Sequence, residues 1–487
     1  MNKPIRTLAV FSLVLFGLLL LNANYVQVFR AGSLDAMAGN KRARDAECAR
    51  QRGPILVGGT AVARSLPSHD RLKYQRRYRQ PLLYAPVTGY FSCYFGTRAV
   101  ESSENSILSG SDSRLFVNRL LDLVSNNQPV GGSVLTTINA AAQAAAYNGL
   151  KSLPGQTRGA VVALDPRTGA ILADVSVPSY NPNQIATHDF TKAEAVWKKL
   201  NAADAADFIS RSTQSIYPPG STFKMVTAAT ALSNGYTPSS MVRGGTDLPL
   251  PQTTHVIHNE NGSDCGGSQI TLTQALVVSC NVSFGDLGLK LGADKLRQQA
   301  ERFGFNENYL TQLPFNASKF PSSVDEPETA LSAIGQFDVA ASPLQMAMVA
   351  AGIANGGAVM TPYVVAEVRS PDLDVLDKAQ PQVLHQAISG SVADELTQMM
   401  VQVVNDPAGT GQAAQIPGVT VAGKTGTANS SASRSPYAWM VTFAPANDPQ
   451  VAVAVVIERT GVGRADITGG GLGGPIARNV MEAVLQR

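Results

Sequence analysis

The sequence predicts a two-domain α+β fold. One domain has a central antiparallel sheet with helices on both faces, preceded by an elongated mixed pedestal and one N-terminal transmembrane helix. Three observations carry this reading. The chain has 487 residues, more than one hydrophobic core usually serves. An apolar run near the N-terminus is long enough to cross a bilayer. From about residue 155 onward, strand patterns come first and last with helical patterns between them, as in a sheet fed from both ends of a segment and covered by helices.

Residues 1–30 read as a signal anchor. Lys3 and Arg6 precede the apolar stretch Leu8 to Leu21, and apolar character continues to Phe29. The whole stretch exceeds the roughly 20 residues that a span needs, and Tyr25 and Phe29 suit the outer interface. Ala23 alone makes a poor cleavage site, so the anchor is expected to stay. The expected location is the cell membrane: a single pass, a short cytoplasmic N-terminus and an extracytoplasmic remainder. Arg30, Lys41, Arg42 and Arg44 on the outer side oppose that orientation, but large C-terminal domains translocate largely regardless of charge.

Residues 31–150 form the expected pedestal. Lys41 to Gly53 is a charge run read as solvated, "PILVGG" and "VTGYFSCYFG" are short β-like pieces, and "SSENSILSGSDSR" reads as an exposed loop. A boundary falls at "NGLKSLPGQTRG", Asn148 to Gly159, and residues 151–487 form the second domain. It opens on two apolar strands joined by the turn Asp165 to Gly169. Helical patterns follow to about residue 360, and the strands "VTVAGKTGTA", "YAWMVTFAPA" and "VAVAVVIE" close it.

Composition narrows the function classes. A net charge of +3, without a dense basic face, argues against nucleic acid. The cysteines, Cys48, Cys93, Cys265 and Cys280, form no C-x-x-C pair and the five histidines are scattered, so neither a metal site nor a cofactor is expected. Outside the cytoplasm three disulfide pairings are open. The local one, Cys265 with Cys280, is the simplest and would be worth about 3 kcal/mol in the chain-entropy model. Buried free thiols are the alternative.

Three short motifs carry chemistry. In "YPPGSTFKMVTAATALSNG", Pro218, Pro219 and Gly220 break the chain and a helical run follows to Asn234-Gly235, placing Ser221 at the helix start and Lys224 in its first turn. A cation there opposes the helix dipole, and a capping box would put Glu or Gln at that position. A buried lysine so placed is pushed toward its neutral amine, able to take a proton from the serine, while free backbone N–H groups face a developing oxyanion. The plain alternative is an N-cap serine and a snorkelling lysine. S-x-N occurs at Ser103, Ser125, Ser179 and Ser279; only Ser279-Cys280-Asn281 falls between the other motifs, and by itself it reads equally as a loop or cap. In "AGKTGTA", Thr425 and Thr427 share one strand face, Lys424 takes the other, and Gly426 admits a neighbouring backbone. Hydroxyls beside a cation suit a carboxylate. A strand with a glycine bulge and a solvated lysine is the alternative.

In this order the three sets resemble the S-x-x-K, S-x-N and K-T-G motifs of penicillin-binding proteins and serine β-lactamases, with Cys280 at the middle of the second. The stretches "GAVVALDPRTGAILADVSVPSYNPN", "YPPGSTFK", "AIGQFDVAASPLQMAMVAAGIANGG" and "AWMVTFAP" resemble the class B transpeptidase domain over about residues 155–485. Upstream, Arg52-Gly53-Pro54-Ile55 and "VTGYFS" are similar to the actinobacterial PbpA type. Two departures stand out: Val57-Gly58-Gly59 replaces an acidic-Arg-Asn-Gly turn, and Phe337 stands where many relatives have Gly.

The resemblance implies Ser221 as nucleophile, Lys224 as its base and Ser279 as proton shuttle. Asn281 would hold the donor amide, Lys424 would tune the site, Thr425 would bind a carboxylate, and the N–H groups of Ser221 and Thr427 would form the oxyanion hole. It further implies a peptidoglycan D,D-transpeptidase that acts on D-Ala-D-Ala stem peptides, is acylated by β-lactams and serves cell wall synthesis at division, with a membrane glycan polymerase as a partner. A D,D-carboxypeptidase or a non-catalytic β-lactam sensor or scaffold would share the cleft. A class A β-lactamase would need E-x-x-x-N between Asn281 and Lys424, which is absent. A bifunctional synthase would need a longer N-terminal part.

Overall fold

The computed structural model describes residues 3–30, 41–115, 130–202, 207–428 and 435–486. Helix α1 (Lys3–Val28) opens it, with a mean hydropathy of 2.2 and no buried residue. At 1.5 Å per residue it is about 39 Å long, enough to cross a bilayer core. Strands β1 (Ile55–Val57), β2 (Thr60–Pro67) and β3 (Tyr74–Tyr78) make an antiparallel meander, and β4 (Ser133–Thr136) lies parallel to β1. Helix α2 (Ala140–Lys151) leads to the hairpin β5 (Arg158–Leu164) and β6 (Ile171–Val177). Helix α3 (Lys224–Leu232), the small hairpin β7 (Asp247–Pro249) and β8 (Val256–His258), α4 (Asn281–Leu291) and α5 (Pro343–Ala354) follow. Then come β9 (Val365–Arg369), β10 (Val375–Lys378), β11 (Ala422–Ala428), β12 (Tyr437–Ala444), β13 (Val451–Arg459) and α6 (Gly474–Leu485).

The central sheet has the order β11-β12-β13-β5-β6, antiparallel throughout. Strand β13 shows why these residues read as continuous apolar runs. Side chains alternate across a sheet. Ala452, Ala454 and Val456 enter one core with Met346 and Ala350 of α5, while Val453, Val455 and Ile457 enter another with Ala142 and Ala146 of α2 and Ile476 and Val480 of α6. Both faces are covered by helices, so neither alternate set can be polar. Gly169 closes the β5–β6 turn with φ of 83°, a left-handed conformation that glycine adopts without a Cβ penalty.

A second sheet has the order β10-β9-β4-β1-β2-β3. Its inner strand β9 pairs antiparallel with β4, Val368 opposite Val134. The boundary expected near residue 150 therefore runs between segments that share one sheet. The Val57-Gly58-Gly59 departure still makes a hairpin, because Gly58 and Gly59 both take positive φ, as a tight two-residue turn requires.

Two expectations for this region are corrected. Within the charge run read as solvated, Arg52 is buried: it donates from Nη2 to Glu101 Oε2 at 2.9 Å, and Arg76 Nε donates to Glu101 Oε1 at 2.6 Å. The segment "SSENSILSGSDSR" is no open loop. Two helical turns, Val100–Ser103 and Asn105–Leu108, bury Ile107 and Leu108 completely, apolar positions masked by their polar neighbours. Disulfides join Cys48 to Cys93 and Cys265 to Cys280.

Candidate active site

The segment ahead of Ser221 is held from three directions. Tyr217 pairs with Ala341, Trp439 Nε1 donates to Pro218 O at 3.0 Å, and the Gly220 N–H donates to Gly335 O at 2.9 Å. A tight 3-10 turn spans Gly220–Phe223, closed by Thr222 Oγ1 donating to Pro219 O at 2.7 Å; the α-helix starts only at Lys224. The helix expected from Ser221 is thus one turn shorter, and Ser221 sits on the turn that feeds it.

Lys224 is completely buried. Its Nζ donates to Ser279 O and Asn281 Oδ1, both at 2.7 Å, and lies 3.4 Å from Ser279 Oγ. Burial pushes the amine well below its ordinary range, the Lys424 charge pushes it further, and Glu260 opposes both. Two of its contacts can be satisfied by a neutral amine, leaving a lone pair. Among the described residues no hydrogen bond joins this Nζ to Ser221 Oγ; such contacts often tighten only when substrate binds.

Ser279 stands between the two lysines. Its backbone is left-handed, φ 59°, a conformation that costs a non-glycine residue free energy and is tolerated where the surroundings enforce it. Here they do: Lys424 Nζ donates to Ser279 Oγ at 2.8 Å, and Cys280 is tied to Cys265. Lys424, on the outer strand β11, is also fully buried, and burial brings its pKa down to about 7 against the opposing pull of Glu260. Thr425 is buried, donates to Thr410 Oγ1 at 2.6 Å and does not line the cleft, whereas Thr427 does. A Cβ on Gly426 would lie 3.0 Å from Pro219 O and 3.1 Å from Thr222 N, so this position brings β11 against the turn bearing Ser221.

Asn281 begins α4, and its Nδ2 donates to His258 O at 2.9 Å. The cap of that helix comes from elsewhere. Cys280 supplies no side-chain cap; instead the buried Asn259 accepts at Oδ1 from the N–H groups of Asn281 and Val282, at 2.9 and 3.0 Å. Its Nδ2 donates to Gly245 O and Ser263 O, both at 2.7 Å. Sequence reasoning misses Asn259, Glu260 and Thr410, because none stands near a motif. Of the other S-x-N serines, Ser103 and Ser179 lie away from this cleft and Ser125 lies outside the described residues.

Ser221, Ser279, Asn281 and Thr427 open onto one cavity of about 550 Å³, which Val256, Ile257, Leu331, Ile334 and Phe337 also line. A serine beside a buried amine, a hydroxyl bridging two lysines and an outer strand with unpaired backbone groups can together perform acyl transfer.

Comparison with known proteins accords with that chemistry. The model of the penicillin-binding protein transpeptidase domain matches residues 159–482, and that of the penicillin-binding protein A dimerisation domain matches residues 52–134. The peptidoglycan D,D-transpeptidase PbpA of Mycolicibacterium smegmatis is 42% identical over 493 residues, covering 100% of this chain and 99% of that protein. Its counterpart in Mycobacterium tuberculosis is 41% identical over 496 residues, with the same coverage. The structure of penicillin-binding protein A from M. tuberculosis as a ceftriaxone acyl-enzyme complex superposes with a TM-score of 0.87 at 41% identity, over 91% of this chain and 100% of that one. The penicillin G acyl-enzyme complex gives 0.85 at 42%, over 90% and 100%. With two thirds of its length matched by the transpeptidase model and its whole length aligned to the mycobacterial proteins, the chain belongs to the class B penicillin-binding proteins of the PbpA type.

Proposed function

We propose that the chain is a peptidoglycan D,D-transpeptidase acting through a Ser221 acyl-enzyme. One observation carries the reading: a fully buried lysine, one turn after an accessible serine, shares a second serine with another buried lysine. Lys224 takes the Ser221 hydroxyl proton as Oγ attacks the penultimate D-alanine carbonyl. The Oγ–C bond forms, the C–N bond breaks, and Ser279 relays the proton to the departing D-alanine amine. The N–H groups of Ser221 and Thr427 hold the oxyanion. Asn281 holds the donor amide, the Lys424 charge and the Thr427 hydroxyl meet the terminal carboxylate in place of the buried Thr425, and Gly426 keeps β11 close to the nucleophile. An amine of a second stem peptide then attacks the ester, gives up its proton through the same groups and frees Ser221. A β-lactam enters the same first step, but its opened ring stays attached.

Residues 151–487 act as the transpeptidase domain, 31–150 as its non-catalytic pedestal and 1–30 as an anchor that leaves the N-terminus in the cytoplasm. Cross-linking consumes glycan strands as they are made at the same membrane, so a membrane glycan polymerase is the natural partner, at division. Fluorescent penicillin tests the chemistry: wild type is expected to retain label through electrophoresis and Ser221→Ala to retain none. No label on wild type, or equal label on both, sinks the assignment. A defined thioester donor with an amine acceptor separates cross-linking from simple hydrolysis.

The acylation rate constant at limiting penicillin reports free-enzyme ionisations. It is expected to fall at low pH as Lys224 gains a proton, and to fall above about pH 7 as Lys424 loses the charge that meets the carboxylate. Glu260 raises the Lys424 pKa, so Glu260→Gln is expected to move the alkaline limb to lower pH. An unmoved limb removes Lys424 as its source.

A further inference from the structure

Phe337 is anomalous in three ways. Its φ is 58°, the left-handed region in which a bulky side chain is a genuine outlier. It is 40% exposed and packs into neither of the two large cores, so burial does not offset the strain. It also lines the cavity that holds Ser221. The turn that carries it is fixed at both ends to the nucleophile segment: Gly335 O receives the Gly220 N–H at 2.9 Å, and Ala341 exchanges backbone hydrogen bonds with Tyr217. A strained, exposed aromatic side chain, held rigidly beside a reactive serine, has the character of a ligand contact.

We propose that Phe337 is a specificity-determining residue, whose ring receives an apolar or planar group on the acyl arm of ligands that react at Ser221. The proposal rests on the acyl-transfer reading above. The acyl arm is the part whose amide Asn281 holds. Val256, Ile257, Leu331 and Ile334 line the same cavity as Asn281 and Phe337 and give it apolar surface beside the polar His255, His258 and Gln336. An arm extending past Asn281 meets that surface, and a bare arm gains nothing from it. The selected class is therefore acyl donors bearing an aromatic or branched aliphatic substituent next to the reacting amide.

Two penicillins test this: benzylpenicillin, with an aromatic acyl arm, and 6-aminopenicillanic acid, with none. Phe337→Asn keeps a residue that tolerates left-handed φ while removing the ring. It is expected to slow acylation by benzylpenicillin roughly tenfold, the scale of one aromatic contact, while changing acylation by 6-aminopenicillanic acid by less than about twofold. Phe337→Tyr is expected to retain both rates. Parallel loss with both probes, or no change with either, overturns the proposal. Absence of any wild-type adduct sinks the acyl-transfer reading and this proposal with it; adducts of unaltered selectivity overturn this proposal alone.

Discussion

Lys224→Arg is expected to abolish acylation by placing a fixed cation where the enzyme holds a neutral amine, slowing penicillin labelling by about a thousandfold or more, within the range by which a positioned proton acceptor accelerates such steps. Arginine can still donate to Ser279 O and Asn281 Oδ1, the two groups that Lys224 Nζ now reaches. It cannot give up its proton at any pH compatible with folding. The substitution thus removes basicity and fixes a charge at a site where burial and the Lys424 charge favour the neutral amine. A labelling time course measures the effect, and a melting temperature close to wild type separates loss of a base from loss of fold. An Arg variant labelled at the native rate would return Lys224 to a structural role.

Glu101→Gln is expected to cost about 3–5 kcal/mol, because breaking a buried ion pair strands its partners without water. Glu101 is inaccessible and carries Arg52 on one oxygen and Arg76 and the Tyr78 hydroxyl on the other. Burial alone would raise its pKa, but Arg76 and Arg52 outweigh that and hold it below the usual carboxylate range. The sign follows. A depressed folded-state pKa stabilises above the unfolded value of about 4.3, and the contribution disappears as pH falls through the folded value. Urea unfolding is therefore expected to separate wild type from Glu101→Gln at pH 7 and to bring them together in strong acid. Equal midpoints at pH 7 would show that the network is energetically idle.

What was legible in the sequence depended on how local the physics was. Ser221 and Lys224 are one turn apart, and Lys424 to Thr427 occupy one strand, so spacing alone placed them in relation to each other. Strands β12 and β13 were legible because both of their faces are buried. The Asn259 cap was not, since it crosses 22 residues to reach Asn281. Thr410 meets Thr425 only through tertiary packing. Polar composition misled where two apolar residues, Ile107 and Leu108, decide the packing of a segment rich in serine. Arg52 read as solvated because a guanidinium normally is; the carboxylate that draws it inside lies 49 residues away.

The pairing of β9 with β4 bears on how this molecule can be cut. A chain begun at residue 151 would retain Ser221, Lys224, Ser279, Asn281 and all of β11. It would lose the strand against which Val365–Arg369 is zipped, leaving a row of bare amides and carbonyls. Such an open edge invites another copy to fill it. The excised catalytic piece would be adhesive through a strand that takes no part in its catalytic cavity, and the pedestal would prove to have been its sheath.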